Sequence, residues 1–430
     1  MHFGAFVINS KYVRDNLAAI KKSMQQRQWD YPVDKIMQLD EEWRKLKTST
    51  QDLQAERNKA SLSIAEMKKK GENEKAEEAR QKVVAVKASI DESEKKLSEL
   101  ETELNKLLWN LPNILHESVP YGKDDNENTL VKKFMEPVEK KVPGHEELGV
   151  KLDILDIERA AKASGARFYY LKGDLVLLEQ SLIRYTLDYL ASKGFTAVEP
   201  PFMMREEAYK GVTALGDFDE TLYKVVSGPE DAENMRLIAT SEHPIAAMHM
   251  GEIIDKKKLP LKYAGLSPCF RKEAGSHGKD TKGIFRVHQF NKIEQFVFCK
   301  PEDSWKIHEE LLANAEGIFQ ALKIPYRIVN ICTGDIGIVA AKKYDLEAYM
   351  PSQGKYREMV SCSNCTDWQS MRLDIKYEDQ GENKYVHTLN STAVATTRTM
   401  VAIMENYANE DGTVTVPEVL VPYMKKSKIG

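Results

Sequence analysis

The sequence predicts an α+β protein: a mixed, mainly antiparallel sheet flanked by helices, preceded by an antiparallel helical coiled-coil hairpin. Three observations predict it. Two heptad seams stand end to end across residues 36–107, with one reversal between them. A charged hairpin sequence, LSPCFRKEAGSHGKDTKGIFRVHQFNKIEQFVF, fills residues 266–298. From residue 167 onward, runs rich in β-branched and aromatic residues alternate with helical patterns.

The elements follow in order. Residues 10–29 read as a short helix with Val13, Leu17, Ile20 and Met24 along one side. The first seam runs through Ile36, Leu39, Trp43, Leu46, Thr50, Leu53, Arg57, Ala60, Ile64 and Met67, and the second through Ala76, Ala79, Val83, Val86, Ile90, Ser93, Leu97, Leu100, Leu104 and Leu107. Between them, Lys68-Lys69-Lys70-Gly71-Glu72-Asn73-Glu74 places lysines at one helix end, a glycine in the turn and acids at the next start, as both helix dipoles favour. Such an arm projects roughly 50 Å. By itself it serves equally as a dimerisation element or a spacer, and its turn lysines as solvating charges.

Leu111-Pro112 breaks the second helix and YGKDDNEN (121–128) lacks apolar content, which puts a domain boundary near residue 110. The expected organisation is an N-terminal domain over 1–110, its hairpin at about 34–109, and a second domain over 111–430. In the second domain, strands are predicted at 168–171, 194–201, 223–226, in the central hairpin, at 326–331 and at 385–389. Helices are predicted at 174–192, 243–254, 301–322 and 392–407. Neither a Walker A sequence nor GxGxxG occurs.

With 430 residues the chain can bury a large core. Lys plus Arg total 62 against 66 for Asp plus Glu, a net charge of -4, so any nucleic-acid contact must be local. Five cysteines, an odd number, fit thiols of a reducing compartment better than a disulfide framework. Cys362 and Cys365 form the only CxxC, and Cys269, Cys299 and Cys332 supply no second pair, so no zinc is expected. The start of the chain lacks a basic segment followed by an apolar core, and no run of about 18 apolar residues occurs. The expected setting is cytoplasmic, without a membrane partner.

The hairpin carries the chemistry. Alternation puts Arg286, His288, Phe290, Lys292 and Glu294 on one side of its second limb, and Arg271 and Glu273 share a face of the first. One reading is a solvated face laced with cross-strand ion pairs. The other is a site for a planar polyanion, with guanidinium forks on phosphate, a ring for stacking and carboxylates for an amino group. Composition and periodicity leave both open.

Taken with the arm and three further segments, the sequence resembles the seryl-tRNA synthetases, class II aminoacyl-tRNA synthetases, in their archaeal form. The likeness covers essentially the whole chain. Gly194-Phe195 through Pro200-Pro201 is similar to motif 1; Phe270-Arg271-Lys272-Glu273 with residues 283–290 to motif 2; Asn390-Ser391-Thr392-Ala393-Val394-Ala395-Thr396-Thr397-Arg398 to motif 3. The seryl assignment rests on Thr240-Ser241-Glu242, on GKYREMVSCSNCTD (354–367) and on the arm.

The resemblance implies the class II synthetase fold and ATP-dependent activation of L-serine, followed by transfer to tRNA(Ser); charging of tRNA(Sec) stays open. It implies a catalytic set of Arg271, Glu273, Arg286 and Arg398. Arg271 would contact the α-phosphate, Glu273 the adenine amino group, Phe290 the adenine face, and Arg286 and Arg398 the outer phosphates. Lys272, Val287, Glu358, Met359, Val360 and Ser361 complete the implied ATP site, with magnesium on Glu358 and Ser361. Thr240, Glu242, Arg271, Glu294, Asn390 and Thr392 would line the serine pocket, Glu294 and Thr392 nearest its hydroxyl.

Lys272, Lys279 and Lys282 are implied for the tRNA acceptor end, and Arg44, Lys47, Arg57, Lys59 and Lys87 for its variable arm. A homodimer joined around motif 1 is implied too. Ser391, Ala393 and Thr397 stand where family members carry glycine, which crowds the expected helix start, and Met371 replaces an arginine with the expected loss of a surface contact. Two other readings remain: a class II ligase loading a carrier protein, and a catalytically silent tRNA-binding paralogue.

Overall fold

The computed structural model describes residues 8–139, 141–213, 218–226, 228, 234–273 and 283–430. Lys279 and Lys282 lie outside the described residues. The chain divides into two compact units, residues 1–25 with 29–111 and residues 26–28 with 112–430.

In the first unit, α1 (Val33–Lys69) and α2 (Asn73–Trp109) form the helical arm. Every residue of both predicted seams is buried or half-buried. Lys96 reaches across to Glu42 at 3.2 Å, and Lys35 pairs with Glu103. Gly71 turns the chain at φ +79°, where a side chain would be strained. The helix expected over 10–29 is instead two, Ser10–Asp15 and Leu17–Gln26. The break falls at Asn16, whose side chain and backbone N–H both reach the Tyr12 carbonyl, a local bond that competes with the helix ladder. Asp40, 1% exposed, accepts from Arg14 at 2.6 Å and Arg44 at 2.9 Å, tying the first short helix to α1.

The second unit is built on an eight-stranded sheet. Its strands are β1 (Thr129–Phe134), β2 (Thr196–Val198), β3 (Leu261–Phe270), β4 (Gln289–Cys299), β5 (Tyr326–Asn330), β6 (Lys342–Met350), β7 (Lys355–Thr366) and β8 (His387–Ala395). They lie in the order β1-β5-β6-β7-β8-β4-β3-β2. β2 and β3 run parallel and the other neighbours antiparallel. The helices that matter here are α3 (Asp174–Ser192), α4 (Glu242–Ala247), α5 (Ser304–Ala321) and α6 (Thr396–Asn406).

β4 shows how one strand serves two purposes. Ile293 and Val297 join the main core with Leu178 and Leu182 of α3 and Ile318 and Phe319 of α5. Residues of the other parity begin polar, at Lys292 and Glu294, and end apolar, at Phe296 and Phe298, which pack with Ile245 and Leu373 in a second core. The sheet face is therefore divided along its length into a polar half and an aromatic half.

Several elements differ from the sequence expectation. β6 and β7 are central strands absent from the expected set: β6 puts Tyr344, Leu346, Ala348 and Met350 into the main core at alternate positions, whereas the alternation of β7 is broken by a register slip and its Glu358, Ser361 and Ser363 line a cavity. The helix expected from 392 begins at Thr396, because β8 runs through Ala395. Ser391 and Ala393 thus crowd a strand, not a helix start, and both are fully buried. Glu179 of α3 fixes the changeover by accepting from the Thr396 hydroxyl at 2.7 Å and from Asn291 Nδ2 at 3.0 Å. The helix expected over 243–254 stops at Ala247. Met371 is 8% exposed, so the arginine-to-methionine departure sits inside the fold and not at the surface.

The return into β4 is held from behind. The Ile284 N–H donates to His145 Nε2 at 3.1 Å, which leaves Nδ1–H to donate to Glu405 Oε1, also at 3.1 Å, and Glu405 Oε2 accepts from the Ser352 N–H at 3.2 Å. Gly283, at φ +70°, leads into this bridge, and a Cβ there would stand 2.0 Å from His145 Nε2. Gly283→Ala should therefore cost roughly 2 kcal/mol or more of stability, from the positive φ and the displaced imidazole together, read as a lowered denaturant midpoint.

Candidate active site

One cavity of about 380 Å³ opens on the polar half of the sheet. Its floor is Phe290, Lys292 and Glu294 of β4; its sides are Glu358, Met359, Ser361, Ser363 and Cys365 of β7, Asn390, Thr392 and Ala395 of β8, and Arg398 of α6. Arg271 at the end of β3 and Thr240, Glu242 and His243 at the start of α4 close it.

Two β-bulges aim these side chains. Between β6 and β7 the register slips, Leu346 facing Val360 and Glu347 facing Glu358, so Met359 is the extra residue. The bulge resets the alternation and lets Glu358 face the cavity along with Met359, Ser361, Ser363 and Cys365. Between β4 and β8 the extra residue is Ala393, and the shift lets Ala395 join Asn390 and Thr392. Gly265, opposite Glu294 on β3, supplies the remaining room. A Cβ there would lie 2.4 Å from the Ile245 side chain and 2.6 Å from Ser241 Oγ, so glycine lets α4 settle on the sheet and brings Glu242 towards Glu294.

The electrostatics divide into two regions. Around the carboxylates, Glu294 is 1% exposed, pairs with Lys292 and accepts from Thr392 Oγ1 at 3.3 Å. Glu242 Oε1 accepts from Gln369 Nε2 and Asn390 Nδ2, each at 3.1 Å. Burial, then the Glu294 charge, push the Glu242 carboxyl up to about 7. Burial likewise raises Glu294, against the pull of Lys292. His243 stays neutral: burial drives it down to about 3, and the Tyr209 hydroxyl lies 2.6 Å from its Nδ1.

Around the guanidinium groups, Arg271 donates from Nε to the Ala239 carbonyl at 3.2 Å and lies 5.4 Å from the Phe290 ring centre. Arg398 donates to the Glu358 carbonyl at 3.0 Å and stands 3.7 Å from its carboxylate. Burial would raise Glu358, but Arg398, Lys343, Arg271 and Arg286 outweigh it and bring the carboxyl down to about 2. Arg271 acts on Glu242 as well as on Glu358, and so connects the two regions.

Of the residues singled out from sequence, the cavity gathers Thr240, Glu242, Arg271, Phe290, Glu294, Glu358, Met359, Ser361, Asn390, Thr392 and Arg398. Glu273 and Arg286 are not in its lining; they pair with each other at 3.2 Å. The Lys272 N–H donates to the Thr221 carbonyl at 2.9 Å, and Lys272 too is absent from the lining. Val287 and Val360 turn into the main core, 2% and 0% exposed, which leaves only their backbones for any ligand. Gln369, fully buried, was not found from sequence because its contact to Glu242 spans more than a hundred residues. His243, next to the Thr240-Ser241-Glu242 segment, and Cys365, inside the 354–367 segment, were likewise not assigned to the site from sequence; all five cysteines are free and buried.

The comparisons agree with one another. The tRNA synthetase class II core domain (G, H, P, S and T) matches residues 223–407, and the seryl-tRNA synthetase N-terminal domain matches residues 7–115. The serine--tRNA ligase of Methanocella arvoryzae is 50% identical over 97% of this chain and 99% of its own, and that of Archaeoglobus fulgidus is 52% identical over 96% and 95%. Among solved structures, seryl-tRNA synthetase from Pyrococcus horikoshii complexed with ATP superposes with a TM-score of 0.90 at 47% identity, covering 98% of this chain and 99% of that one. Cytoplasmic serine-tRNA ligase from Naegleria fowleri in complex with AMP gives 0.85 at 40% identity, covering 100% and 99%.

The raised Glu242 carboxyl has a definite sign for stability. Its value in the folded chain, about 7, exceeds the ordinary 4.5, so its contribution is fully present below about 4.5 and is lost as pH rises towards 7. Glu242→Gln should accordingly gain stability relative to the parent between pH 5 and 8, by on the order of 3 kcal/mol at most, and gain nothing at pH 4; denaturant unfolding across that range reads it.

Proposed function

The chain belongs to the seryl-tRNA synthetase family, and from that premise we propose how its residues divide the work of activating L-serine with ATP and passing it to tRNA. The fold is the class II synthetase fold, and the enzyme is a serine--tRNA ligase. What supports the division is a single observation: Glu242, Glu294, Glu358, Asn390, Phe290, Arg271 and Arg398 line one cavity.

Glu242, Glu294, Asn390, Thr392 and Thr240 receive serine. Two carboxylates beside one lysine leave excess negative charge for the ammonium group, and Glu294 with Thr392 accepts and donates at the hydroxyl. Such a pocket disfavours alanine, which leaves buried polar groups unpaired, and excludes threonine by the volume of one methyl, worth about 1–3 kcal/mol. Phe290 stacks on adenine, with Glu273 at its amino group. Arg271 meets the α-phosphate, and Arg286 and Arg398 the outer ones. Lys272 and the backbones of Val287, Met359 and Val360 complete the nucleotide contacts.

Activation is attack of the serine carboxylate on the α-phosphorus, forming the acyl–phosphate bond as the α–β bridge breaks and pyrophosphate leaves. The nucleophile is already ionised at neutral pH, so no side chain need act as base. The protein supplies alignment and positive charge. Arg271 is suited to both, since it acts on the serine region and the phosphate region alike.

Glu358 and Ser361 fit magnesium: both are hard oxygen donors on the cavity wall, and the low Glu358 carboxyl stays ionised. Among the described residues no cluster of three or more His, Cys, Asp or Glu is arranged for a metal. Held by Glu358 and Ser361, the ion would neutralise charge on the leaving group.

The 3′-hydroxyl of the terminal tRNA adenosine then attacks the seryl carbonyl, forming the ester as the acyl–phosphate bond breaks and AMP and a proton leave. The arm reads the tRNA by shape and phosphate. Lys59 and Lys87 are exposed along it, whereas Arg44 is engaged with Asp40 and Lys47 lies 4.2 Å from the Trp43 ring centre. A homodimer through the motif 1 region is supported by Tyr170, Val176 and Leu177, which are 48%, 37% and 44% exposed around the start of α3. A reducing cytoplasm suits the five free thiols.

Arg271→Ala should lower serine-dependent pyrophosphate exchange by about a hundredfold or more while the protein stays folded, and normal exchange would refute the assigned role. Deleting residues 36–107 should spare that exchange and remove most tRNA charging; unchanged charging in an aminoacylation assay would remove the arm from tRNA reading.

A further inference from the structure

The segment 336–341, which joins β5 to β6, has no regular structure, yet two of its residues, Val339 and Ala340, line the cavity. Outside a sheet ladder its carbonyls need donors from elsewhere. All six are met by two short pieces of chain. Arg27 donates from Nη1 to the carbonyls of Ile336 at 3.0 Å and Gly337 at 3.1 Å, and from Nη2 to Ala340 at 3.3 Å. The Asn113 backbone N–H reaches the Ile338 carbonyl at 2.7 Å, its side-chain Nδ2 reaches Val339 at 2.9 Å, and the His116 N–H reaches Ala341 at 2.9 Å.

Arg27 and Asn113 also hold each other and the neighbouring cavity wall. Arg27 Nη2 donates to the Asn113 carbonyl at 3.1 Å, and Asn113 Nδ2 lies 2.7 Å from the carbonyl of Cys365, itself a cavity residue. Both side chains are buried, Arg27 at 1% and Asn113 at 4% exposed. A planar guanidinium can serve several carbonyls at once through its fixed fork, which an ammonium group cannot reproduce.

In sequence, Arg27 directly follows the Leu17–Gln26 helix and Asn113 comes just after α2 ends. Both nevertheless belong to the unit that carries the cavity.

We propose that Arg27 and Asn113 are positioning residues for serine activation: their shared clamp on the 336–341 carbonyls holds Val339 and Ala340, and through Cys365 the neighbouring strand, in place against the bound substrates. The inference rests on the reading that this cavity activates serine. It assigns a part in adenylate formation to a residue that the sequence places in the N-terminal helical region, with no tRNA required.

The test uses the full-length protein in serine-dependent pyrophosphate exchange without tRNA, with Arg27→Lys and Arg27→Met beside the parent. Both variants should lose about tenfold or more in kcat/KM for serine, with serine KM raised, and both should exchange amide hydrogens faster over 336–341. If Arg27→Met does not yield folded protein, Asn113→Ala, which removes only side-chain bonds, carries the same expectation beside Arg27→Lys. A folded Arg27→Lys with parental kcat and KM would overturn the proposal. So would a lowered unfolding temperature with parental constants for the folded fraction, which would make the clamp purely structural. Absence of exchange in the parent itself would count instead against the cavity as the site of serine activation.

Discussion

A carboxylate buried in the middle of a sheet is the constraint on which the rest of the site depends. Glu294 is 1% exposed on a central strand, where an uncompensated charge costs several kcal/mol. Lys292 two residues earlier and Thr392 across the ladder offset part of that cost, burial still raises the Glu294 carboxyl, and the Glu294 charge adds to the burial that pushes neighbouring Glu242 up to about 7. A region left negative in this way is arranged in advance for a cation. The main core of α3, α5 and the opposite sheet face carries the stability that lets the fold hold such a region.

The other region has the reverse polarity, with three arginines and Lys343 acting on Glu358. On the proposed reading a zwitterion would meet both: its ammonium would be drawn to the acidic side and its carboxylate directed towards the arginines assigned to phosphate. Arg271, stacked near Phe290, is felt at each side. On that reading the field of the cavity would orient the nucleophile as much as individual hydrogen bonds do.

How much of this was legible varied with the reach of the interactions. The arm was read almost residue by residue, because a heptad seam is local and repeats. Helix α3 matched its predicted bounds, and the parity of Phe290, Lys292 and Glu294 gave the cavity floor. Strand β7 escaped because a register slip at Met359 interrupts its alternation, whereas β6 does alternate Tyr344, Leu346, Ala348 and Met350 into the core and was legible though not identified. The start of α6 was misplaced because a carboxylate on α3, Glu179, helps decide it. Gln369, Arg27 and the His145 bridge act across long stretches of sequence, and no window of neighbouring residues contains both partners.

The bulges at Met359 and Ala393 bear on how this pocket can change over evolution or in the laboratory. Since side chains swap faces with every single-residue slip, inserting or deleting one position in β7 or β8 would turn a whole row of cavity groups into the core and core groups into the cavity. New amino-acid preferences are therefore open to exchange of side chains at fixed strand length, and closed to the loop-like length variation by which other enzymes diversify. A redesign library should vary identities at 294, 363, 365 and 392 and leave the backbone count untouched.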